Sequence, residues 1–191
     1  MPHYYDKNPR GKERLNKISY KKFQFVTASG VFGKKRFDTG SEILVDNAFV
    51  GRKVLDLGCG YGPVGIILAE RNPDSSFLLA DINSRAVALA KKNILLNNIR
   101  NAEARQSDGF EKIKEKFDTI LLNPPQSAGK RVCEKLIYDS REHLFKKGTL
   151  QVVVRRNKGG KIIEGIMRKA FGNIDVLAKK SGYWVYISKN L

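Results

Sequence analysis

The chain reads as an α/β protein: a mostly parallel sheet with helices on both faces. Three observations predict it. Short apolar runs alternate with stretches of helical spacing from about residue 38 to residue 170, and that alternation demands parallel strands joined by crossover helices. The first apolar run ends in an acid and then a glycine-rich loop, Asp56-Leu57-Gly58-Cys59-Gly60-Tyr61-Gly62, which opens a helix. Two last β-rich runs flank Lys179-Lys180-Ser181-Gly182, a hairpin signal that puts an antiparallel strand into the sheet.

At 191 residues, with 41% hydrophobic and 29% charged residues, one domain with a real core is expected. No apolar run is long enough for a transmembrane helix, and the first residues lack the apolar centre of a signal peptide. Cys59 and Cys133 are the only cysteines, so free thiols and a cytoplasmic location are expected. His3 and His143 form no ligand cluster with them, so no metal site is expected. The 36 Lys and Arg against 19 Asp and Glu leave a net charge of +17. Such a field attracts polyanions, of which nucleic acid is the commonest.

Residues 1–37 form a basic arm, read as part of the same domain as residues 38–191. Residues 1–36 carry ten Lys and Arg against two acids. Residues 1–17 look irregular, residues 19–27 alternate as a strand should, Ala28-Ser29-Gly30 signals a turn, and residues 31–37 suit a returning strand. Phe23, Phe25, Phe32 and Phe37 read as packing for this hairpin, while Lys34, Lys35 and Arg36 read as contacts to RNA phosphates.

Asp38-Thr39-Gly40-Ser41 caps a helix to about residue 49. Strands follow at 53–57, 76–80, 102–106, 117–122 and 149–154. Helices follow at 63–71, 84–97 (with Ser84 as its cap), 131–145 and 161–170. The final strands are 174–178 and 183–188. Val87, Ala90, Ile94 and Leu95 have helical spacing, as do Ile162, Ile163, Ile166 and Met167.

Gly60-x-Gly62-x-x-Gly65, with Asp81 downstream for a ribose, formally matches a dinucleotide fingerprint. Two features point away from NAD. Asp56 would repel a pyrophosphate but attract an ammonium, and Asn123-Pro124-Pro125 after the fourth strand has no task in hydride transfer.

Together the Asp56–Gly62 loop, Asp81, Asp108 and Asn123-Pro124-Pro125 resemble the ordered motifs of class I S-adenosylmethionine-dependent methyltransferases. The resemblance runs from about residue 25 to the C-terminus and implies a Rossmann-like seven-stranded methyltransferase sheet. Gly30-Val31-Phe32-Gly33 and Asp38-Thr39-Gly40-Ser41 are similar to the small-subunit ribosomal RNA guanine-N2 methyltransferase family. Residues 123–130 are close to its archaeal single-domain relatives; the bacterial enzymes carry a second such domain in front, for which this chain has no room.

The resemblance implies roles. Gly58, Gly60 and Gly62, with Cys59, let the backbone approach the methionine part of the cofactor. Asp56 holds its amino end, Asp81 and Ile82 its ribose, Asp108 its adenine amine. For Asp56 and Asp108 the competing reading is capping of a helix or turn. Asn123 and the Pro124 carbonyl would accept the two N–H bonds of a planar amine and aim its lone pair at the methyl, with Pro125 stiffening the loop. Many base-methylating relatives place an aromatic residue after Pro-Pro; this chain has Gln126. Stacking then falls to Phe32 or Tyr61, or Gln126 bonds the base edge. Lys130 and Arg155, with Arg131, Arg156 and Lys158, are candidate phosphate contacts.

The expected activity is N-methylation of an exocyclic amine of RNA, guanine N2 in ribosomal RNA. The rivals are methylation of a protein glutamine amide, adenine N6 or a small amine, and an RNA-binding module with an inactive fold.

Overall fold

The computed structural model describes residues 7, 14–31, 33, 37–124 and 129–191. Expectations that rest on Phe32, Lys34, Lys35, Arg36, Pro125 and Gln126 lie outside the described residues; of the return strand expected at 31–37, the described residues Val31, Gly33 and Phe37 are in no strand.

A two-stranded hairpin comes first, β1 (Leu15–Tyr20) and β2 (Phe23–Ala28). Its turn is Lys21-Lys22, not Ala28-Ser29-Gly30, so the strand expected at 19–27 is the hairpin itself. Lys21 takes a φ of 51°, which the sequence does not advertise because glycine or asparagine usually fills such a place.

Helix α1 (Thr39–Asn47) follows, then β3 (Lys53–Leu57), α2 (Pro63–Arg71), β4 (Ser76–Asp81), α3 (Ser84–Leu96), β5 (Ala102–Gln106) and β6 (Phe117–Leu122). Helix α4 (Gly129–Glu142) leads to β7 (Leu144–Arg155), a kinked turn at Arg156–Gly160, α5 (Lys161–Phe171), β8 (Asp175–Lys180) and β9 (Tyr183–Lys189). Asn83, not Ser84, caps α3: its side chain accepts from the backbone N–H groups of Arg85 and Ala86.

The seven-stranded sheet has the order β5-β4-β3-β6-β7-β9-β8. The first five strands are parallel, and β9 enters antiparallel to both β7 and β8. Ser181 and Gly182, both at positive φ, close the last hairpin with the twist its strands need.

Alternation along each central strand supplies both faces. Val54, Phe77, Leu79, Leu121 and Val153 pack with α1, α2, α3 and the N-terminal hairpin. Leu55, Leu78, Ile120, Leu122 and Val152 pack with α4 and α5. Strands buried on both faces explain why these runs are apolar almost throughout. Two residues of the expected helix stripes face water instead: Leu95 is 76% exposed and Ile162 is 49% exposed. Among the described residues no helix is long and apolar enough to cross a membrane.

The topology sets the place of the site. After β3 the chain moves outward to β4 and β5, then crosses to the other side of β3 for β6. The crevice at the carboxyl ends of β3 and β6 is therefore a topological switch point, where open α/β sheets bind ligands.

Candidate active site

A cleft opens at that switch point, lined by the ends of β3, β4, β5 and β6 and by the first turns of α1 and α4. Asp56, Gly58, Cys59, Gly60, Asp81, Ile82, Asp108, Asn123 and Pro124 all reach it. Gly62 does not. A Cβ there would stand 3.0 Å from both Ile66 and Leu79, so this glycine serves the packing of α2 on the sheet. Gly65 is similar, with Leu79 2.7 Å from its added Cβ. Gly58 and Gly60, at φ of 74° and 58°, would point a Cβ into open space. The loop thus divides into two open glycines for a ligand and two crowded ones for helix packing.

The loop is held from below. The N–H groups of Gly58 and Cys59 both donate to the Ala80 carbonyl, at 2.8 and 3.0 Å. Gly60 N–H donates to Asp81 Oδ2 at 2.8 Å, and Asn83 N–H to Asp81 Oδ1 at 2.9 Å. Burial raises the Asp81 carboxyl above its ordinary range, and those backbone donors oppose the rise. The Ile82 N–H also bonds this carboxylate, which has about four acceptor positions, so room is left for a further donor.

Asp56 is 4% exposed, and its Oδ2 accepts from Gly65 N–H at 2.9 Å. This acid therefore caps the first turn of α2 and also lines the cleft. Burial pushes its carboxyl up to about 7; the Gly65 bond pulls down, and the charge of Asp81 adds to the rise. Asp108 lines the far end of the cleft, with Oδ2 3.1 Å from Lys7 Nζ. Cys59 is buried, its thiol well above the ordinary range for the same reason, burial first and the two acids second.

Asn123 lies where β6 ends. Its Nδ2 donates to Asp38 Oδ2 and to Ser41 Oγ, each at 3.1 Å. Asp38 and Ser41 also line the cleft. The sequence presents Asp38 only as a helix cap. It does cap α1, accepting from Ser41 N–H at 2.9 Å, but its reach to a residue 85 positions away has no sequence signal.

Tyr61 is 2% exposed and meets Phe25 edge-on, at 5.7 Å between centroids, so its ring is part of the core while it also borders the cleft. The half-buried ring that reaches the cleft near Asp38 and Asn123 is Tyr183. Among the expected phosphate contacts, Arg155 is exposed with its guanidinium 5.7 Å from the Tyr183 ring, and Lys130 is exposed on the first turn of α4. Arg156 is otherwise engaged. It donates to Glu164 and to the Tyr186 hydroxyl, each at 2.6 Å, and lies over Trp184. Among the described residues no three His, Cys, Asp or Glu come together as a metal site would need.

Two open glycines between the buried Asp56 and the half-buried Asp81 suit a cofactor with a cationic end and a ribose diol, and a pinned carboxamide opposite suits an acceptor that donates N–H bonds. These features fit a methyltransferase, and the family comparison agrees. Residues 22–187 match the methyltransferase small domain, and the chain belongs to that family.

The YbxB protein of Bacillus subtilis is 36% identical over 99% of this chain and 98% of its own length. Ribosomal RNA small subunit methyltransferase C of Haemophilus influenzae is 36% identical over 84% of this chain. The alignment takes in 49% of that enzyme, so the chain spans about half the length of the methyltransferase C relatives. Among solved structures, a T. thermophilus 16S ribosomal RNA N2-guanine methyltransferase in complex with AdoMet and guanosine aligns with a TM-score of 0.79. It is 24% identical and covers 94% of this chain and 50% of its own, a likeness of fold.

Proposed function

We propose that this chain methylates an exocyclic amine of RNA, guanine N2 in small-subunit ribosomal RNA. The observation that carries the proposal is the Asn123 carboxamide: its nitrogen is tied to Asp38 and Ser41, so its oxygen is left for a donor in the cleft. An exocyclic amine has two N–H bonds to offer. Asn123 Oδ1 and the Pro124 carbonyl are the acceptors for them, and accepting both favours a pyramidal nitrogen whose lone pair is freed from the ring and aimed at the methyl. S-adenosylmethionine supplies, when bound, a methyl group on a cationic sulfur; Asp56, Asp81, Asp108 and the backbone of Gly58 and Gly60 would hold it. The residues thus act mainly by alignment and by accepting positive charge as it develops on nitrogen. The amine becomes acidic on methylation and loses its proton to water, so no strong base is required.

RNA is favoured over a protein amide by the net charge of +17 and by the named function of the 36% identical relative. Incubation with labelled donor and either total RNA or total protein separates the two; label in protein alone would refute the RNA reading. Asn123→Ala is expected to lower kcat by about a hundredfold or more, the scale of losing one aligned polar group, with donor affinity nearly unchanged. Mapping the modified position in ribosomal RNA then tests the guanine N2 assignment.

A further inference from the structure

We propose that Asp38 and Ser41 are positioning residues that set the orientation of the Asn123 carboxamide; the proposal rests on the reading of Asn123 as the acceptor for the substrate amine. A carboxamide can turn end for end, and either end fits much the same space. Asp38 decides between them. A carboxylate has only acceptors, so the end of Asn123 that lies 3.1 Å from Asp38 Oδ2 is the nitrogen. Its second hydrogen goes to Ser41 Oγ, also at 3.1 Å. Ser41 Oγ in turn lies 3.3 Å from Asp38 Oδ2 and donates to it, which leaves its lone pairs for Asn123. Both amide hydrogens are spent, and Oδ1 has no donor among the described residues.

The clamp is rigid for a structural reason. Ser41 is 4% exposed on the first turn of α1, and Asp38 is held as the cap of that helix by Ser41 N–H. The same cap that starts α1 therefore fixes a side chain at the end of β6. It also acts electronically. A carboxylate accepting from the amide nitrogen draws charge toward the amide oxygen, and hydrogen bonds in series strengthen one another in a closed cleft. The oxygen that meets the substrate N–H becomes the better acceptor.

The test uses three substitutions in the full chain. Asp38→Ser keeps a side-chain cap for α1 but is one bond too short to hold Asn123 as well. It is expected to lower kcat about tenfold or more, as loss of alignment does, while donor Kd and RNA KM stay within about threefold. Asp38→Asn, whose amide oxygen can replace Oδ2, should recover most of that loss. Ser41→Ala leaves the cap and removes one acceptor, so a smaller loss in kcat is expected; it serves also if Asp38→Ser fails to fold. In single turnovers on the residual activity of Asn123→Ala, adding Asp38→Ser should cost nothing more, because no amide remains to orient. An equal loss in both backgrounds, or losses confined to donor Kd or RNA KM, would overturn the clamp. A fully active Asp38→Ser beside an impaired Asn123→Ala would overturn the clamp alone. Full turnover by Asn123→Ala would overturn the site reading and the clamp with it.

Discussion

Asp56 does two things with one carboxyl. Its Oδ2 fastens the first turn of α2 through Gly65 N–H, and the same group faces the cleft, where the proposed function has it meet the cationic end of the donor. Burial holds its pKa near 7 in the folded chain against an ordinary 3.8. The sign of the consequence follows. The folded protein binds a proton that the unfolded chain has already lost, so this group's contribution to stability is full below about 3.8 and falls away as pH rises through 7. For the donor the sense is opposite, because an ammonium needs the carboxylate. Below pH 7 donor binding should release a proton, and affinity should fall by up to about tenfold per pH unit. Calorimetry at pH 6 in two buffers of different ionisation enthalpy reads that proton directly. Asp56→Asn can still accept from Gly65 and should keep the fold, but should weaken donor binding about tenfold or more, the worth of a charge-assisted hydrogen bond, and abolish the proton release. Proton release that persists in Asp56→Asn would assign the titration to another group.

The N-terminal hairpin is joined to α3 by side chains that imitate a strand. Asn93 accepts from Val26 N–H and donates to the Val26 carbonyl, while Asn97 does the same with Gln24. Residues four apart on the helix thus match residues two apart on β2, and the free edge of β2 is closed against pairing with other chains. Asn93 also donates to the Tyr61 carbonyl, which ties the hairpin to the glycine loop. Asn93 is fully buried, so Asn93→Ala would strand several backbone groups. Its expected cost is about 3 kcal/mol, from roughly 1–3 kcal/mol per unsatisfied group, with a fall in Tm of about 6–12 °C for a chain of this size. Urea titration checks it; a loss under about 1 kcal/mol would mean that water replaces the amide. Elements of this kind mark the limit of what the sequence makes legible. Strands β3 to β6 and helix α2 can be read because burial on both faces leaves an unbroken apolar run, and because proline and glycine punctuate it. Asn93 looks like any polar residue in a helix, since its partner lies 67 positions away. The hairpin turn at Lys21-Lys22 has no local signature, so the sequence reads a single strand across it. Gly60 and Gly62 share one motif, yet only their neighbours in space tell the ligand-facing glycine from the packed one. Asp38 declares its cap locally and conceals its bond to Asn123.

Across the whole molecule charge is sorted by depth. Four acids, Asp38, Asp56, Asp81 and Asp108, reach the cleft of a chain whose net charge is +17. On the proposed function, a cationic donor would meet carboxylates inside and a polyanion would meet lysines and arginines outside. Not every cation is free for that second task. Arg105 bonds to Glu103 and Glu115, and Arg156 is held by Glu164 and Tyr186 over the Trp184 ring. Arg155 and Lys158 are exposed beside them, Arg155 next to the Tyr183 ring at the mouth of the cleft. If RNA is the substrate, its affinity must fall steeply with salt, because each neutralised phosphate releases counterions and adds about −0.7 to −0.9 to the slope of log K against log salt. Arg155→Ala should flatten that slope by about one phosphate's share and leave donor Kd unchanged. Arg156→Ala should act differently, lowering stability through the stranded Glu164 and Tyr186 while moving the slope little. Filter binding of a ribosomal RNA fragment from about 50 to 200 mM salt, the range over which such contacts are lost, measures both. Equal flattening by the two variants would place Arg156 on the RNA after all; a slope that neither variant alters would move the phosphate path to another face, with Lys130 at the start of α4 the next to replace.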